Sequence, residues 1–285
     1  MSIVITGASG QLGGLTVEAL LARGVPAADI VATGRDIATL KGFADRGVVV
    51  RRADFAEPDG LAAAFEGADR LLLISTTTVD ERVPNHRRAI DAAVAAGVSL
   101  VAYTSMSRAD RATTILASTH RATEDYLRER AVPSVMLRNS WYLENHTAQL
   151  PQILGNGAVV GAAGQGRISA ASRADYADAA AVVLTTEGHA GEVYELGGDE
   201  AFTLAELAAT ISAVSGKRIT YTDLPADELA QVLTRAGLPA ELAHVLVDAD
   251  LGMSRGELFT ASGDLRRLIG RPTTPPADAI ADALR

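Results

Sequence analysis

The chain has no cysteine among its 285 residues and only two lysines, Lys41 and Lys217. The lack of cysteine excludes disulfide bonds, thiolate catalysis and zinc sites with cysteine ligands. No apolar run approaches the roughly 18 residues that a membrane-spanning helix needs. A strand-like run begins as early as Ile3, so we expect no signal peptide. These features predict a cytoplasmic protein without a membrane partner.

Two further kinds of site receive little support from the sequence. The five histidines show neither HxxxH nor HExxH spacing, so no metal site is predicted. The net charge of -9 and the pI of about 5.1 argue against a nucleic-acid-binding surface. Hydrophobic residues make up 48% of the chain, which is typical of a globular protein with a substantial core.

The start of the chain carries a glycine motif. A short apolar run at 3–5 is followed by Gly7, Gly10 and Gly13 in GxxGxxG spacing, and then by a helical pattern of apolar residues. Gly7 permits a tight turn, Gly10 the close approach of a phosphate, and Gly13 the close packing of helix and strand. Such a turn directs backbone N–H groups and the positive helix end at one point, which suits a pyrophosphate. The alternative is an ordinary strand–turn–helix connection without a ligand.

Polar residues near the strand ends indicate which dinucleotide binds. Arg35 lies about 22 positions after Gly13, at the end of the second predicted strand, where an NAD fingerprint has an acidic residue. The planar guanidinium suits a 2′-phosphate, so we predict NADPH/NADP as the cofactor. Asp36 complicates this assignment, because it can turn inward instead. Asp54 follows the third strand and is either an adenine ligand or a turn residue.

The next two predicted strands end in hydroxyl groups. Ser75 and Thr76 follow the fourth strand and are expected to border the ribose or the nicotinamide, unless they are turn hydroxyls. Tyr103, Thr104 and Ser105 end the fifth strand and are expected to form hydrogen bonds with the ribose or the substrate.

Apolar runs and helical patterns alternate through the first half of the chain. This alternation predicts an α/β fold, namely a Rossmann-type doubly wound parallel sheet with a smaller α/β C-terminal lobe. We predict a dinucleotide-binding domain over 1–147, to which 172–185 returns, and a lobe formed mainly by 148–285, with a loop-rich entry at 155–166. The predicted strands are 3–5, 30–32, 48–50, 71–74, 100–103, 134–137, 193–196 and 219–221. The first predicted helix carries its apolar stripe over 12–20 and stops at Gly24, and the further predicted helices include 61–65, 84–96, 118–130, 204–215 and 227–236.

Longer segments resemble one family. They are ITGASGQLG, LLLIST, YTS, RNSWYLEN, GAAGQG, SRADYADAAA, VYELGGD and IGRPTT. Over essentially the whole chain they resemble the NmrA-like atypical short-chain dehydrogenases, and within these the type 2 NADPH:quinone oxidoreductases. The resemblance implies that Arg173 lies near the cofactor cleft, where the alternative is a salt bridge to Asp175 or Asp178. The cofactor contacts that it implies are Gly7, Ala8, Ser9, Gly10, Gln11, Leu12, Arg35, Ile74, Ser75, Thr76, Asn139, Ser140, Trp141, Tyr142, Leu143 and Glu144.

The Tyr-x-x-x-Lys pair, the proton donor of most short-chain reductases, is missing. Ser107 stands four positions after Tyr103, and Arg130, which cannot exchange protons usefully, stands four after Tyr126. Hydride addition to a ketone forms an alkoxide with a basicity near that of hydroxide, for which the conjugate acid has a pKa of roughly 15.7. Addition to a quinone forms a phenolate-like anion, for which the conjugate acid has a pKa of roughly 10, so the proton affinity of the product is lower by about 8 kcal/mol. The missing pair therefore disfavours a ketoreductase and leaves a quinone reductase, which depends mainly on positioning.

Aromatic and amide side chains follow the sixth predicted strand. Trp141 and Tyr142 are expected to form a flat wall against the nicotinamide or a quinone ring, unless they only pack in the core. Asn139 and Asn145 are expected to donate hydrogen bonds to a quinone oxygen, and Asn145 alternatively caps the next helix.

Together these features predict NADPH-dependent two-electron reduction of quinones by direct hydride transfer, without a Tyr-Lys pair. Two alternatives stay open. One is a non-catalytic NADP-sensing regulatory protein, and the other is a reductase of another conjugated acceptor such as an enone, nitro or azo compound. The expected partner is a small-molecule quinone, with no nucleic acid, and a homodimer is compatible with the sequence.

Overall fold

A computed structural model describes all 285 residues. It contains nine strands, thirteen α-helices and two short 3-10 helices, Ala27–Asp29 and Ile37–Leu40. None of the helices combines the length and apolar composition that a membrane crossing requires. The strands are β1 Ile3–Ile5, β2 Ile30–Gly34, β3 Val49–Arg52, β4 Arg70–Leu73, β5 Leu100–Met106, β6 Ser134–Asn139, β7 Ala158–Gly161, β8 Val193–Leu196 and β9 Thr220–Asp223. The helices are α1 Gln11–Ala22, α2 Lys41–Ala44, α3 Pro58–Phe65, α4 Val79–Ala95, α5 Ile115–Glu129, α6 Glu144–Thr147, α7 Leu150–Asn156, α8 Arg173–Thr185, α9 Leu204–Ser215, α10 Ala226–Arg235, α11 Ala240–Ser254, α12 Asp264–Ile269 and α13 Pro276–Ala283.

Seven strands form one sheet in the order β3-β2-β1-β4-β5-β6-β8. β1 lies between β2 and β4 and runs parallel to both, with Val4 opposite Val31 and Leu71. The hydrogen bonds from β6 to β8 advance in the same direction along both strands, so this pair is also parallel. From β1 the chain adds β2 and β3 towards one edge of the sheet, and then β4, β5, β6 and β8 towards the other. This order confirms the predicted doubly wound α/β fold. In such folds the ligand crevice is expected where the order reverses, beside β1.

The chain divides into two compact units. Unit 1 comprises Met1–Met106, Thr119–Arg138 and Arg173–Tyr194, and unit 2 comprises Ser107–Ser118, Asn139–Ser172 and Glu195–Arg285. This division differs from the predicted boundary at 147, because 107–118 and 139–147 belong to unit 2. The segment that returns to unit 1 includes all of α8, and α8 packs against α1.

The core of unit 1 surrounds the sheet. β1, β4 and β5 are buried along their whole length, which explains why their sequences are apolar without alternation. Phe65 and Ile90 are fully buried and pack from α3 and α4 against strand residues such as Leu71 and Val101.

Unit 2 contains a second, two-stranded parallel sheet formed by β7 and β9. The prediction that 155–166 is largely loop is therefore wrong in part. α7 ends at Asn156, Gly157 closes it in the left-handed conformation with φ of 69°, and β7 follows at once. A small core of Ala162, Leu229 and Val247 lies where α10 and α11 pack together.

Three helices begin earlier than predicted, and the first of them, α3, begins at Pro58 and not at 61. α4 begins at Val79 and includes Pro84 as its sixth residue, where the proline lacks the N–H that would bond to the Asp80 carbonyl. α5 begins at Ile115, three residues before the predicted start at 118.

Candidate active site

The glycine motif forms an open turn between β1 and α1. Gly7 has a φ of 61°, and its carbonyl accepts a hydrogen bond from the Gly10 N–H at 2.9 Å. A Cβ atom on Gly13 would lie 2.3 Å from this carbonyl oxygen, so only glycine permits the close approach of α1. Gly10 provides no side-chain cap, and the N–H groups of Gln11 and Leu12 have no backbone acceptor. The turn therefore presents N–H donors at the positive end of a 12-residue helix.

The end of β2 lies against this turn. The Ala8 N–H donates to the Thr33 carbonyl at 2.8 Å, and a Cβ atom on Gly34 would lie 3.1 Å from Ser9 Oγ. Arg35 follows directly, is exposed, and forms no hydrogen bond or ion pair. Its guanidinium is thus available to a ligand beside the α1 N-terminus.

Both aspartates near Arg35 are engaged locally. Asp36 Oδ1 accepts from the Ala38 N–H at 2.9 Å and caps the 3-10 helix Ile37–Leu40, so its carboxylate does not take the place of Arg35. Asp54 Oδ1 accepts from the Ala56 N–H at 3.0 Å, which is the turn arrangement of its two predicted alternatives.

The three N–H groups that follow β4 are all held by side chains. The pairs are Ile74 with Thr6 Oγ1 at 2.9 Å, Ser75 with Thr104 Oγ1 at 2.9 Å and Thr76 with His86 Nε2 at 3.1 Å. This half-buried segment therefore offers a ligand the hydroxyl groups of Ser75 and Thr76, not backbone N–H groups. Thr76 Oγ1 is buried and has no hydrogen-bond partner.

The hydroxyl groups at the end of β5 face inward. Tyr103 is 0% exposed and its hydroxyl lies 2.7 Å from His120 Nδ1, so the prediction that it touches the substrate is wrong. Burial raises the pKa of Tyr103 well above its usual value. Ser105 donates to Glu124 Oε1 at 2.6 Å, and Thr104 is also buried. Neither hydroxyl is presented to a ligand in this arrangement.

Asn139, the last residue of β6, and the residues that follow it lie in unit 2. Asn139 is buried, and its Oδ1 has no hydrogen-bond partner. Ser140 Oγ donates to the Leu258 carbonyl at 2.8 Å. Trp141 and Tyr142 are half-buried, and their backbone pairs with that of Ala171. Leu143 is buried, and Glu144 is half-buried at the start of α6.

Asn145 and His146 lie inside α6. Leu143 occupies the N-cap position, so the alternative that Asn145 caps this helix is wrong. His146 Nε2 is buried without a partner, and burial lowers the pKa of His146 to about 4. Its ring packs edge-on against Phe202, with 5.9 Å between the ring centroids.

Three buried side-chain atoms lack a hydrogen-bond partner: Thr76 Oγ1 in unit 1, and Asn139 Oδ1 and His146 Nε2 in unit 2. Buried polar groups are nearly always satisfied in native proteins, so each of these atoms is a candidate for contact with a ligand. Thr76 and Asn139 are predicted site residues, and His146 follows the predicted site residue Asn145. Arg173, also predicted near the cofactor, is half-buried at the first position of α8 in unit 1.

Comparison with known proteins identifies the family. Residues 1–252 match the sequence model of the NmrA-like family. Quinone oxidoreductase 2 of Escherichia coli is 46% identical over 279 residues, which cover 98% of this chain and 97% of that protein. The crystal structure of the NADPH-dependent quinone oxidoreductase from Escherichia coli complexed with NADPH matches with a TM-score of 0.97 and 46% identity, over 99% of this chain and 100% of that chain. The Citrobacter sp. triphenylmethane reductase complexed with NADP(H) matches with a TM-score of 0.94 and 36% identity, over 99% and 100%. The chain belongs to the NmrA-like family.

Proposed function

We propose that this protein is an NADPH-dependent quinone oxidoreductase. The observation that carries the proposal is the 46% identity with Escherichia coli Quinone oxidoreductase 2 across nearly the full length of both chains. The site supports it independently, because its donors and its unpartnered polar atoms fit a phosphorylated dinucleotide.

The proposed cofactor contacts begin with its two kinds of phosphate group, the pyrophosphate and the 2′-phosphate. The free N–H groups of Gln11 and Leu12 would bind the pyrophosphate at the positive end of α1. The unpaired guanidinium of Arg35 would bind the 2′-phosphate, which distinguishes NADPH from NADH. Asp36 does not oppose this, since its carboxylate is held by the Ala38 N–H.

The residues around the acceptor act by position and not by donating a proton. NADPH, when bound, supplies the hydride. No lysine stands four positions after a tyrosine, and Tyr103 is fully buried. His146 is neutral at pH 7 because its pKa is about 4, so it is not an acid there. We assign to Trp141 and Tyr142 the wall against the flat acceptor.

Amide groups complete the proposed arrangement. Asn139 and Asn145 would orient a quinone by hydrogen bonds to its oxygens, and the unpartnered Oδ1 of Asn139 would accept from a ligand hydroxyl or amide. Hydride transfer to a quinone leaves a phenolate-like anion, which is a much weaker base than an alkoxide because its conjugate acid has a pKa of roughly 10. Water can therefore protonate it after hydride transfer. A general acid is therefore not required for this acceptor.

Mixing the protein with NADPH and a benzoquinone tests the proposal. We expect loss of the nicotinamide absorbance with one hydroquinone formed per NADPH, and no turnover with an aliphatic ketone. Binding of NADPH by calorimetry without its consumption would contradict the proposal and favour an NADP sensor. A second acceptor class has support in the 36% identity with the Citrobacter sp. triphenylmethane reductase, so a triphenylmethane dye belongs in the same assay.

A further inference from the structure

The peptide groups on both sides of Thr76 are held from α4. His86 Nε2 accepts from the Thr76 N–H at 3.1 Å, and Arg82 Nε donates to the Thr76 carbonyl at 3.0 Å. Both side chains are buried, with His86 0% and Arg82 5% exposed. The backbone of Thr76 is therefore fixed at its donor and at its acceptor by two residues one helical turn apart.

The tautomer of His86 follows from its partners. A backbone N–H only donates, so Nε2 must be the unprotonated nitrogen and Nδ1 must carry the proton. Nδ1 then donates to Thr123 Oγ1 at 2.9 Å, and Thr123 Oγ1 donates to the Thr119 carbonyl at 3.0 Å. One directed chain of hydrogen bonds thus runs from Thr76 through the imidazole into α5.

Arg82 is a buried cation without a counter-ion. No carboxylate lies within 4.0 Å of its guanidinium, and its hydrogen bonds go to the Thr76 carbonyl and to Thr119 Oγ1 at 2.8 Å. Burial of an unneutralised guanidinium is unfavourable, and a smaller polar residue would avoid that cost. The positive charge therefore indicates a task other than packing, and the two groups that the guanidinium holds are the Thr76 carbonyl and the Thr119 hydroxyl.

We propose that Arg82 and His86 are positioning residues that orient Thr76 so that its hydroxyl binds the nicotinamide–ribose half of NADPH. The hydroxyl is the part of Thr76 that is left unsatisfied, because Oγ1 is buried and has no partner while both peptide groups are bonded. A hydroxyl both donates and accepts, so it suits a ribose hydroxyl or a carboxamide. This inference rests on the proposed function.

A double-mutant cycle tests this coupling. Thr76→Val removes the hydroxyl and keeps the shape, and His86→Phe removes the acceptor while keeping an aromatic ring between Phe55 and Tyr103. We expect each variant to weaken NADPH binding roughly tenfold by calorimetry, the scale of one lost hydrogen bond. In the Thr76→Val background, His86→Phe should cost less than about threefold, because the group that it positions is already absent.

Conservative variants separate positioning from stability. The Oε1 atom of His86→Gln can replace Nε2 as acceptor, so this variant should recover most of the NADPH affinity. Arg82→Lys keeps the charge but loses the planar fork that reaches both Thr76 and Thr119, so it should weaken binding. The matched control is Arg87→Gln, because Arg87 lies on the same helix, is exposed and stacks on Tyr126. All affinities are measured well below the unfolding temperature of each variant.

The outcomes distinguish this inference from the proposed function. Additive losses in the cycle, or wild-type NADPH affinity in Thr76→Val, would overturn the positioning role even if quinone turnover is normal. If His86→Phe does not fold, the same decision rests on Thr76→Val, His86→Gln and Arg82→Lys. If the double-mutant cycle shows the expected coupling in NADPH affinity but the protein does not reduce quinones, only the proposed function is contradicted.

Discussion

Arg138 and Glu124 form a buried ion pair with two parallel hydrogen bonds. Arg138 Nε lies 2.9 Å from Glu124 Oε1, Nη2 lies 2.8 Å from Oε2, and the glutamate side chain is 0% exposed. Ser105 adds a third hydrogen bond to Oε1 at 2.6 Å. The pair joins α5 to the end of β6 within unit 1, and it engages the Ser105 hydroxyl that was expected to face a ligand.

We expect Arg138→Met to destabilise the protein by about 3–5 kcal/mol, because it leaves the Glu124 carboxylate buried with much less compensation. The free energy of unfolding in urea measures this. Arg128 contacts the same carboxylate at 3.0 Å from an exposed position, so Arg128→Ala is the matched control and should cost at most about 1 kcal/mol. Equal losses in the two variants would show that burial does not govern this pair.

Gly13→Ala should disrupt the phosphate-binding turn. The new Cβ would lie 2.3 Å from the Gly7 carbonyl oxygen, so the backbone must shift at a cost of about 1–3 kcal/mol. We expect a lower thermal midpoint and at least a tenfold weaker NADPH affinity by calorimetry. Gly14→Ala is the control, because its Cβ would meet the Ala8 carbonyl at an ordinary 3.5 Å and alanine favours the helix. An unchanged Gly13→Ala variant would remove the role assigned to this glycine.

The fold could be predicted because the strands that build the sheet are buried along their length. Continuous apolar runs identified β1 and β4, and the glycine turn placed the first helix. The start of α4 could not be predicted, because Pro84 suggested a helix start but lies inside the helix. A proline marks a boundary only when tertiary packing does not extend the helix past it, and packing cannot be read from one sequence.

The sequence indicates candidate site residues by their place at strand ends, but not the contacts that their side chains make. Arg35 could be proposed because the strand–helix–strand unit fixes its distance from the glycine turn, and its role as a phosphate ligand stays a prediction. Tyr103 was misjudged because the pattern of apolar residues identifies where a strand ends but does not show with which group a side-chain hydroxyl forms its hydrogen bond. Arg82 and His86 carried no signal in sequence, since they act from α4 on a peptide group six to ten positions earlier.

Arg35→Ala should lower NADPH affinity selectively. The loss of charged hydrogen bonds to the 2′-phosphate is expected to cost about 1.5–3 kcal/mol, or roughly 10- to 150-fold, with little effect on NADH. Calorimetry with both cofactors measures the ratio. Arg52→Ala is the control, because Arg52 ends the neighbouring strand and already pairs with Glu57. Equal losses for NADPH and NADH would refute the assignment.

Asp250 should make the protein less stable as the pH rises. It accepts from the Ala162 N–H at 2.8 Å, and burial raises its pKa from 3.8 to about 6. Below about pH 4 the carboxyl is protonated in both the folded and the unfolded protein, so it costs no stability. Between about pH 4 and pH 6 only the folded state keeps the proton, and the free energy of unfolding therefore falls by roughly 3 kcal/mol as the pH rises through this range.

Asp250→Asn should therefore be more stable than the wild type above pH 6 and similar to it near pH 4. Urea unfolding at several pH values measures the difference. Asp45→Asn serves as the control, because Asp45 is exposed beside Lys41 and should leave the pH dependence unchanged. If the two stability curves run parallel, the buried carboxyl does not titrate in this range.

Quinone reduction should proceed without a titrating side chain at the reacting atoms. Between about pH 7 and pH 9 we expect kcat with a benzoquinone to be constant, because the pKa of His146 is about 4 and that of Tyr103 lies well above its usual value. Tyr103→Phe should keep kcat within about threefold while lowering stability by about 1 kcal/mol, the scale of its hydrogen bond to His120. A bell-shaped pH profile, or a hundredfold loss of kcat in Tyr103→Phe, would mean that a side chain supplies the proton after all. In that case the argument that a weakly basic acceptor makes the Tyr-Lys pair dispensable would fail, although the cofactor site beside α1 would stand.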